Sequence, residues 1–146
     1  MKNNTDEYPL TDEEFRSIYS KVPRLTVEVV IKTDKGVLLT MRDIEPYKGY
    51  WHLPGGTVYF NENLSEAVRR VAKNELGVTV TSSKFINYIE YPTHLQYSFD
   101  SPIGMAFLVE FEGEIVLDRQ ASEAKWFNEI PTNLVLEQAE FLQKIL

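Results

Sequence analysis

A mixed α and β fold is predicted by three features of the chain. Two capping boxes, Thr11 with Glu14 and Asn63 with Glu66, mark helix starts in which each side chain satisfies an orphan backbone N–H. Strand-like apolar patterns cover residues 25–33, 78–91 and 103–111. The turn Thr33-Asp34-Lys35-Gly36 joins the first of these to a further apolar run at 37–41 as a hairpin.

Taken in order, the first helix runs from Thr11 to about Tyr19 and is closed off by Pro23. The hairpin follows, then a polar loop at 44–49. The second helix starts at Leu64 and stops at Gly77, which takes a positive φ without a Cβ clash. After the long strand patterns, Glu112-Gly113-Glu114 reads as a turn with a short strand behind it, and residues 123–127 as a late strand. Asn133 is placed to cap a last helix to Ile145. There is no internal repeat and no low-complexity segment.

With 146 residues the natural expectation is one domain, 1–146, long enough to bury a core. No apolar run approaches the ~18 residues that span a bilayer, and residues 1–8 lack the basic and apolar regions of a signal peptide, so the expected location is cytoplasmic, away from membranes. The absence of cysteine excludes disulfides and thiolate zinc sites. A formal charge of −7 without a basic stripe argues against a long nucleic acid as partner. Small nucleotides stay open, because a divalent cation bridges an acidic protein to a diphosphate.

The second helix carries the oddest residue. At ~100° per residue, Leu64, Ala67, Val68, Val71, Ala72 and Leu76 form one apolar face, with Glu75 near its middle. An anion in the last turn opposes the macrodipole by roughly 0.3–1 kcal/mol, and an unpaired buried carboxylate costs several kcal/mol more. Glu75 therefore calls for a cation, unless fraying of the last turn turns it to solvent.

The segment from Pro54-Gly55-Gly56 through Glu62, Arg70, Glu75, Gly77 and Val78 resembles the Nudix hydrolase signature G-x5-E-x7-R-E-U-x-E-E-x-G-U, where U is a bulky aliphatic residue. Ala72 is a small occupant of its position, and Val71 and Asn74 stand where the family has glutamates. The resemblance implies the Nudix fold, an α/β/α sandwich with a mixed sheet, and a dependence on Mg²⁺ or Mn²⁺. Each missing carboxylate removes a hard oxygen ligand, which favours one ion over a cluster.

A related branch, the GDP-mannose mannosyl hydrolases, is similar over roughly the first half of the chain, through Leu10-Thr11-Asp12-Glu13-Glu14-Phe15, Pro23-Arg24-Leu25-Thr26-Val27, Arg42 and residues 49–56. That resemblance implies metal ligands at the Gly56 carbonyl, Glu75 and Gln120, the last by spacing back from Lys125-Trp126-Phe127. It implies Arg42 as a phosphate contact, for which its bidentate fork is suited; a salt bridge to Asp43 or Glu45 is the plainer reading. Arg70 with Glu62 becomes a structural support of the box. Glu28 aligns with an acidic substrate contact of that branch, but strand alternation leaves its side open and it is not among the candidate site residues.

Two departures bear on mechanism. Ala121 stands where the branch has its general-base histidine, and Thr57 where it has an arginine. His94, in the turn-rich segment Tyr91-Pro92-Thr93-His94-Leu95-Gln96, and Glu123 are the candidate replacements for the base, against plain readings as an exposed loop histidine and a surface partner of Lys125. His52, between Trp51 and Leu53, reads as a strand residue. Tyr47, Tyr50, Tyr59 and Phe60 are candidates to stack on a base or sugar, with no more than one expected to touch ligand.

The expected function is hydrolysis of a nucleoside diphosphate linked to another moiety, a nucleotide sugar resembling GDP-mannose first. Attack at phosphorus, as in ADP-ribose pyrophosphatases, and a nucleotide-binding domain without catalysis are the alternatives. The partner is a small nucleotide, and a homodimer is compatible with the resemblance.

Overall fold

The computed structural model describes residues 8–117 and 121–146. Among the described residues three α-helices, α1 (Asp12–Tyr19), α2 (Leu64–Leu76) and α3 (Leu136–Gln143), and a 3-10 turn at His94–Gln96 accompany eight strands. The strands are β1 (Arg24–Val30), β2 (Lys32–Thr33), β3 (Gly36–Arg42), β4 (Trp51–His52), β5 (Gly55–Thr57), β6 (Thr79–Glu90), β7 (Pro102–Glu112) and β8 (Ala121–Phe127).

One sheet has the order β5-β1-β7-β6 and is mixed: β1 runs parallel to β7 and antiparallel to β5, and β6 is antiparallel to β7. In the other, β3 is paired antiparallel with β2, β4 and β8. Each strand residue presents its side chain to one face, so β1 feeds two cores. Val27 and Val29 join Leu38, Val71, Leu76 and Phe107 against α2, while Val30 joins Leu39, Trp51, Leu53, Ala106 and Leu142 on the α3 side. The result is an α/β/α sandwich.

Both capping boxes form as their local chemistry requires. Thr11 and Glu14 exchange side-chain-to-backbone bonds of 2.9 and 3.1 Å, and Asn63 and Glu66 bonds of 3.0 and 2.8 Å. Gly77 ends α2 at φ 70°, in the left-handed region. A Cβ there is strained by the backbone alone.

Three expectations are corrected. Residues 25–33 are not one strand: regular pairing lapses at Ile31 between β1 and β2. Residues 114–117 form no strand, because the Val116 N–H is taken by the Leu76 carbonyl at 2.7 Å, which docks this segment on the C-terminus of α2. Asn133 does not cap α3, whose N-cap is Val135. Its side chain instead donates to the Gly49 carbonyl at 3.0 Å and fastens the 43–50 loop to the chain entering α3.

Candidate active site

The edge formed by β1 and β5 divides the site into two faces. Thr26, Val27 and Glu28 stand opposite Thr57, Gly56 and Gly55. Gly56 faces α2: a Cβ added there would lie 3.0 Å from Val71 Cγ2. Val71 is fully enclosed, and Glu75 follows one turn later on the same helix, half-buried.

Arg70 secures the loop between β5 and α2. Its Nε and one terminal nitrogen grip both Glu62 oxygens at 2.8 and 2.9 Å, and that nitrogen also donates to the Thr57 carbonyl at 2.7 Å. Glu62 accepts the Tyr59 N–H at 2.9 Å, and the guanidinium lies 3.5 Å from the centre of the Tyr59 ring. The hydrogen bond from Arg70 is the main reason the Glu62 carboxyl is held below its ordinary range.

The opposite face is built from buried polar groups. Glu28, 6% exposed, accepts the Tyr91 hydroxyl at 2.9 Å and the Thr26 hydroxyl at 3.1 Å, both on Oε2. Its room comes from two glycines on the flanking strands. A Cβ on Gly55 would collide with Oε1, and one on Gly104 would lie 2.5 Å from Oε2. No hydrogen bond reaches Oε1 from the described residues. Burial pushes the Glu28 carboxyl up to about 7, against the opposing pull of Tyr91, Thr26 and the Arg24 charge. Gln138 steadies this cluster, donating to the Tyr91 oxygen at 3.0 Å while accepting the Leu53 N–H at 2.7 Å.

A second chain lies beside it. The Tyr47 hydroxyl is 2.9 Å from His94 Nδ1, His94 Nε2 is 2.9 Å from Asp100, Asp100 accepts from Arg24 Nε at 2.7 Å, and Arg24 donates to Thr57 Oγ1 at 2.9 Å. Burial would raise the Asp100 carboxyl, but His94 and Arg24 outweigh it and hold the group well below the usual carboxylate range. An ionised Asp100 only accepts, so Nε2 carries a proton. On a neutral ring Nδ1 then accepts from Tyr47. His94 is buried at 7% exposure, contrary to the reading of an exposed loop histidine, and both of its ring nitrogens are engaged.

The remaining candidates are dispersed. Arg42, at the end of β3, donates to the Pro46 carbonyl at 3.0 Å and lies opposite Ala121 of β8. Glu123 is exposed on β8. His52 is tied to Thr40 Oγ1 at 3.2 Å and the Leu53 carbonyl at 2.7 Å. Gln120 lies outside the described residues.

The NUDIX domain profile matches residues 22–145. This chain belongs to the Nudix hydrolase family. Over 135 residues it is 38% identical to the low-salt glycan biosynthesis protein Agl8 of Haloferax volcanii, covering 87% of this chain and 86% of that one. It is 30% identical over 107 residues to an ADP-ribose pyrophosphatase of Methanocaldococcus jannaschii, matching 73% of this chain and 62% of that protein's length. The MutT NUDIX hydrolase structure from Burkholderia pseudomallei superimposes with a TM-score of 0.78 at 24% identity over 86% of this chain and 99% of that one, which establishes the shared fold.

Nudix hydrolases use divalent metals, and the residues here limit the ion count. Among the described residues no three acidic or histidine side chains converge, and Val71 fills the position beside Gly56 with hydrocarbon. A Mg²⁺-like ion asks little of the protein: such ions take few protein oxygens and complete their shell with water and substrate phosphate, and carboxylate and carbonyl oxygens are the donor chemistry they take. Asp100 and Gln138 carry no signal in the sequence, Arg24 and Tyr91 stand in it only within longer segments and without a role, and Glu28 is not among the residues expected at the site.

Proposed function

We propose that the chain is a Mg²⁺- or Mn²⁺-dependent hydrolase of a nucleoside diphosphate linked to another moiety, with a nucleotide sugar as the first substrate to test. The observation that carries this reading is the two-faced β1–β5 edge. Gly56 and α2, with Glu75, lie on one face, and Glu28 lies on the other between two glycines, its Oε1 open to a donor. The likeness to a protein named for glycan biosynthesis supports a sugar as the second moiety.

In this proposal Glu75, the Gly56 carbonyl and Gln120 hold the ion. When bound, it supplies neutralisation of charge on the diphosphate leaving group. Arg42 binds phosphate through its fork. Glu28 accepts a substrate or water O–H at Oε1, and with its carboxyl pushed to about 7 it is suited to take a proton near neutrality. His94, engaged on both sides, positions Tyr47 and acts on nothing directly. Glu123 is the alternative base. Glu62 and Arg70 hold the loop that presents Thr57.

Hydrolysis of nucleotide sugars, dinucleotides and nucleoside triphosphates is measured with Mg²⁺ and Mn²⁺ for the wild type and Glu75→Gln. Turnover of a sugar nucleotide, falling at least a hundredfold in the variant, is the expected result. Full activity of Glu75→Gln on every accepted substrate refutes the mechanism.

A second reading, attack at phosphorus, is favoured by the likeness to an ADP-ribose pyrophosphatase. Reaction in ¹⁸O water decides between them: label on the sugar means attack at carbon, label on phosphate means attack at phosphorus. A domain that binds nucleotide without turnover is the outcome if the whole panel is inert.

A further inference from the structure

Groups from four separate parts of the chain form a line of hydrogen bonds that ends on Glu28. The Leu53 N–H donates to Gln138 Oε1 at 2.7 Å, Gln138 Nε2 donates to the Tyr91 oxygen at 3.0 Å, and the Tyr91 hydroxyl donates to Glu28 Oε2 at 2.9 Å. The line runs one way only. A backbone N–H only donates, so the amide oxygen of Gln138 is the atom turned to Leu53, and its nitrogen, which also only donates, is the atom turned to Tyr91. With that donor on the phenol oxygen, the single hydroxyl proton of Tyr91 goes to Glu28. Gln138 is 5% exposed and Glu28 6%, so water competes little for either bond.

The consequence falls on the other carboxylate oxygen. Oε2 takes the Tyr91 proton and lies 3.1 Å from the Thr26 hydroxyl, whereas Oε1 has no hydrogen bond from the described residues. Oε1 is also not sealed. Among the described residues, the buried side-chain oxygens and nitrogens that lack a partner are Tyr59 Oη, Asn74 Nδ2 and Glu137 Oε1, and Glu28 Oε1 is not one of them. Gly55 leaves the space on that side, where a Cβ would collide with Oε1. One oxygen is held and the other is presented.

We propose that Tyr91 and Gln138 are positioning residues: the one-way donor line from Leu53 holds Glu28 by Oε2 and turns Oε1, as an acceptor, to an O–H of the substrate or of the attacking water. The assignment rests on the nucleotide reading above, in which Glu28 is the group that meets that O–H, and adds the residues that aim it. In this role neither Tyr91 nor Gln138 touches substrate. Gln138→Glu keeps the shape of the amide but reverses the line, because a carboxylate at 138 accepts from both Leu53 and Tyr91. The Tyr91 proton then leaves Glu28, and a lone pair of the phenol faces Oε2 instead.

The direction of the line is read first, without substrate. Proton NMR of the whole chain locates the Tyr91 hydroxyl proton by its nuclear Overhauser contacts, expected to Glu28 Hγ in the wild type and to the side chain at 138 in Gln138→Glu. The aim of Glu28 is read from kcat/KM on GDP-mannose, or on the member of the nucleotide panel turned over fastest. Tyr91→Phe and Gln138→Glu are each expected to lower it about ten- to a hundredfold, the worth of a hydrogen bond to a charged group. In the Glu28→Gln background the same changes are expected to cost less than about twofold, since they act only through that carboxylate. Gln138→Met removes the donor without adding charge, is expected to match Tyr91→Phe, and stands in should Gln138→Glu fail to fold. A hydroxyl proton turned to Gln138 in the wild type, kcat/KM within about twofold of wild type in Tyr91→Phe and Gln138→Met, or equal losses in both backgrounds overturns the positioning role. Those failures leave a turned-over nucleotide, and with it the proposed activity, standing. A panel left inert by the wild type refutes the hydrolase and this role together, and the NMR contacts tell that case apart by showing the donor line intact.

Discussion

Glu28 and Tyr91 meet over the centre of the mixed sheet, the phenol donating to Oε2 at 2.9 Å across 63 residues of sequence. The pair exists because Gly55 and Gly104 leave space on the flanking strands. Burial, with the Glu28 carboxyl next, also raises the Tyr91 phenol well above its ordinary value, so this hydroxyl stays a donor.

Gly104→Ala tests the space. Its Cβ would lie 2.5 Å from Oε2 and 2.9 Å from Cγ of Glu28, so the side chain must shift. A loss of about 1–3 kcal/mol in urea denaturation is expected, together with reduced turnover. Unchanged stability would mean the carboxyl moves aside freely.

The pH dependence follows from the raised carboxyl. Glu28 goes from an ordinary 4.5 to about 7 on folding, so between these values the native state binds more protons than the unfolded chain. This group's contribution is therefore most favourable below pH 4.5 and is lost as pH rises through about 7. The decline amounts to at most about 3 kcal/mol. Glu28→Gln is expected to remove it, so that the variant gains on the wild type between pH 5 and pH 8, as followed by denaturant midpoints. Asp100 runs in the opposite sense and acts below this window, its stabilisation lost only as pH falls under the usual carboxylate range.

Arg70→Lys tests the fork on Glu62. Lysine cannot reproduce two parallel donors and a third bond to Thr57. A loss of about 1–3 kcal/mol is expected, with faster amide exchange in residues 57–63. Exchange unchanged in that loop would show that Arg70 does not hold it.

Asn133→Ala separates tethering from capping. The bond lost is the one to Gly49, so α3 keeps its helicity by circular dichroism and about 1 kcal/mol is lost. A drop in helicity would restore the capping role.

The parts legible in sequence are those decided within a few residues. Asn63, Glu66 and Gly77 bound α2 because caps and left-handed stops are local chemistry. The side on which Glu28 lies was illegible, since β1 is buried on both faces and apolar alternation carries no information there. His94 reads as a loop residue until Asp100 and Tyr47 close around it. Asn133 has the chemistry of a cap, yet the Gly49 carbonyl, 84 residues away, takes its donor. Gly104 was the one available sign, a glycine inside an apolar strand marking close approach of another group.

The parallel pairing of β1 with β7, from Arg24 with Pro102 to Val30 with Leu108, also governs how the molecule comes into being. Contacts so distant along the chain form slowly, after local helices and hairpins. During synthesis, the Arg24–Asp100 bridge and the glycine wall at Gly104 have no counterpart until the ribosome has released the chain past Leu108. The polar face is thus among the last features to assemble, and a nascent chain halted before that point carries its Nudix box without a pocket to serve.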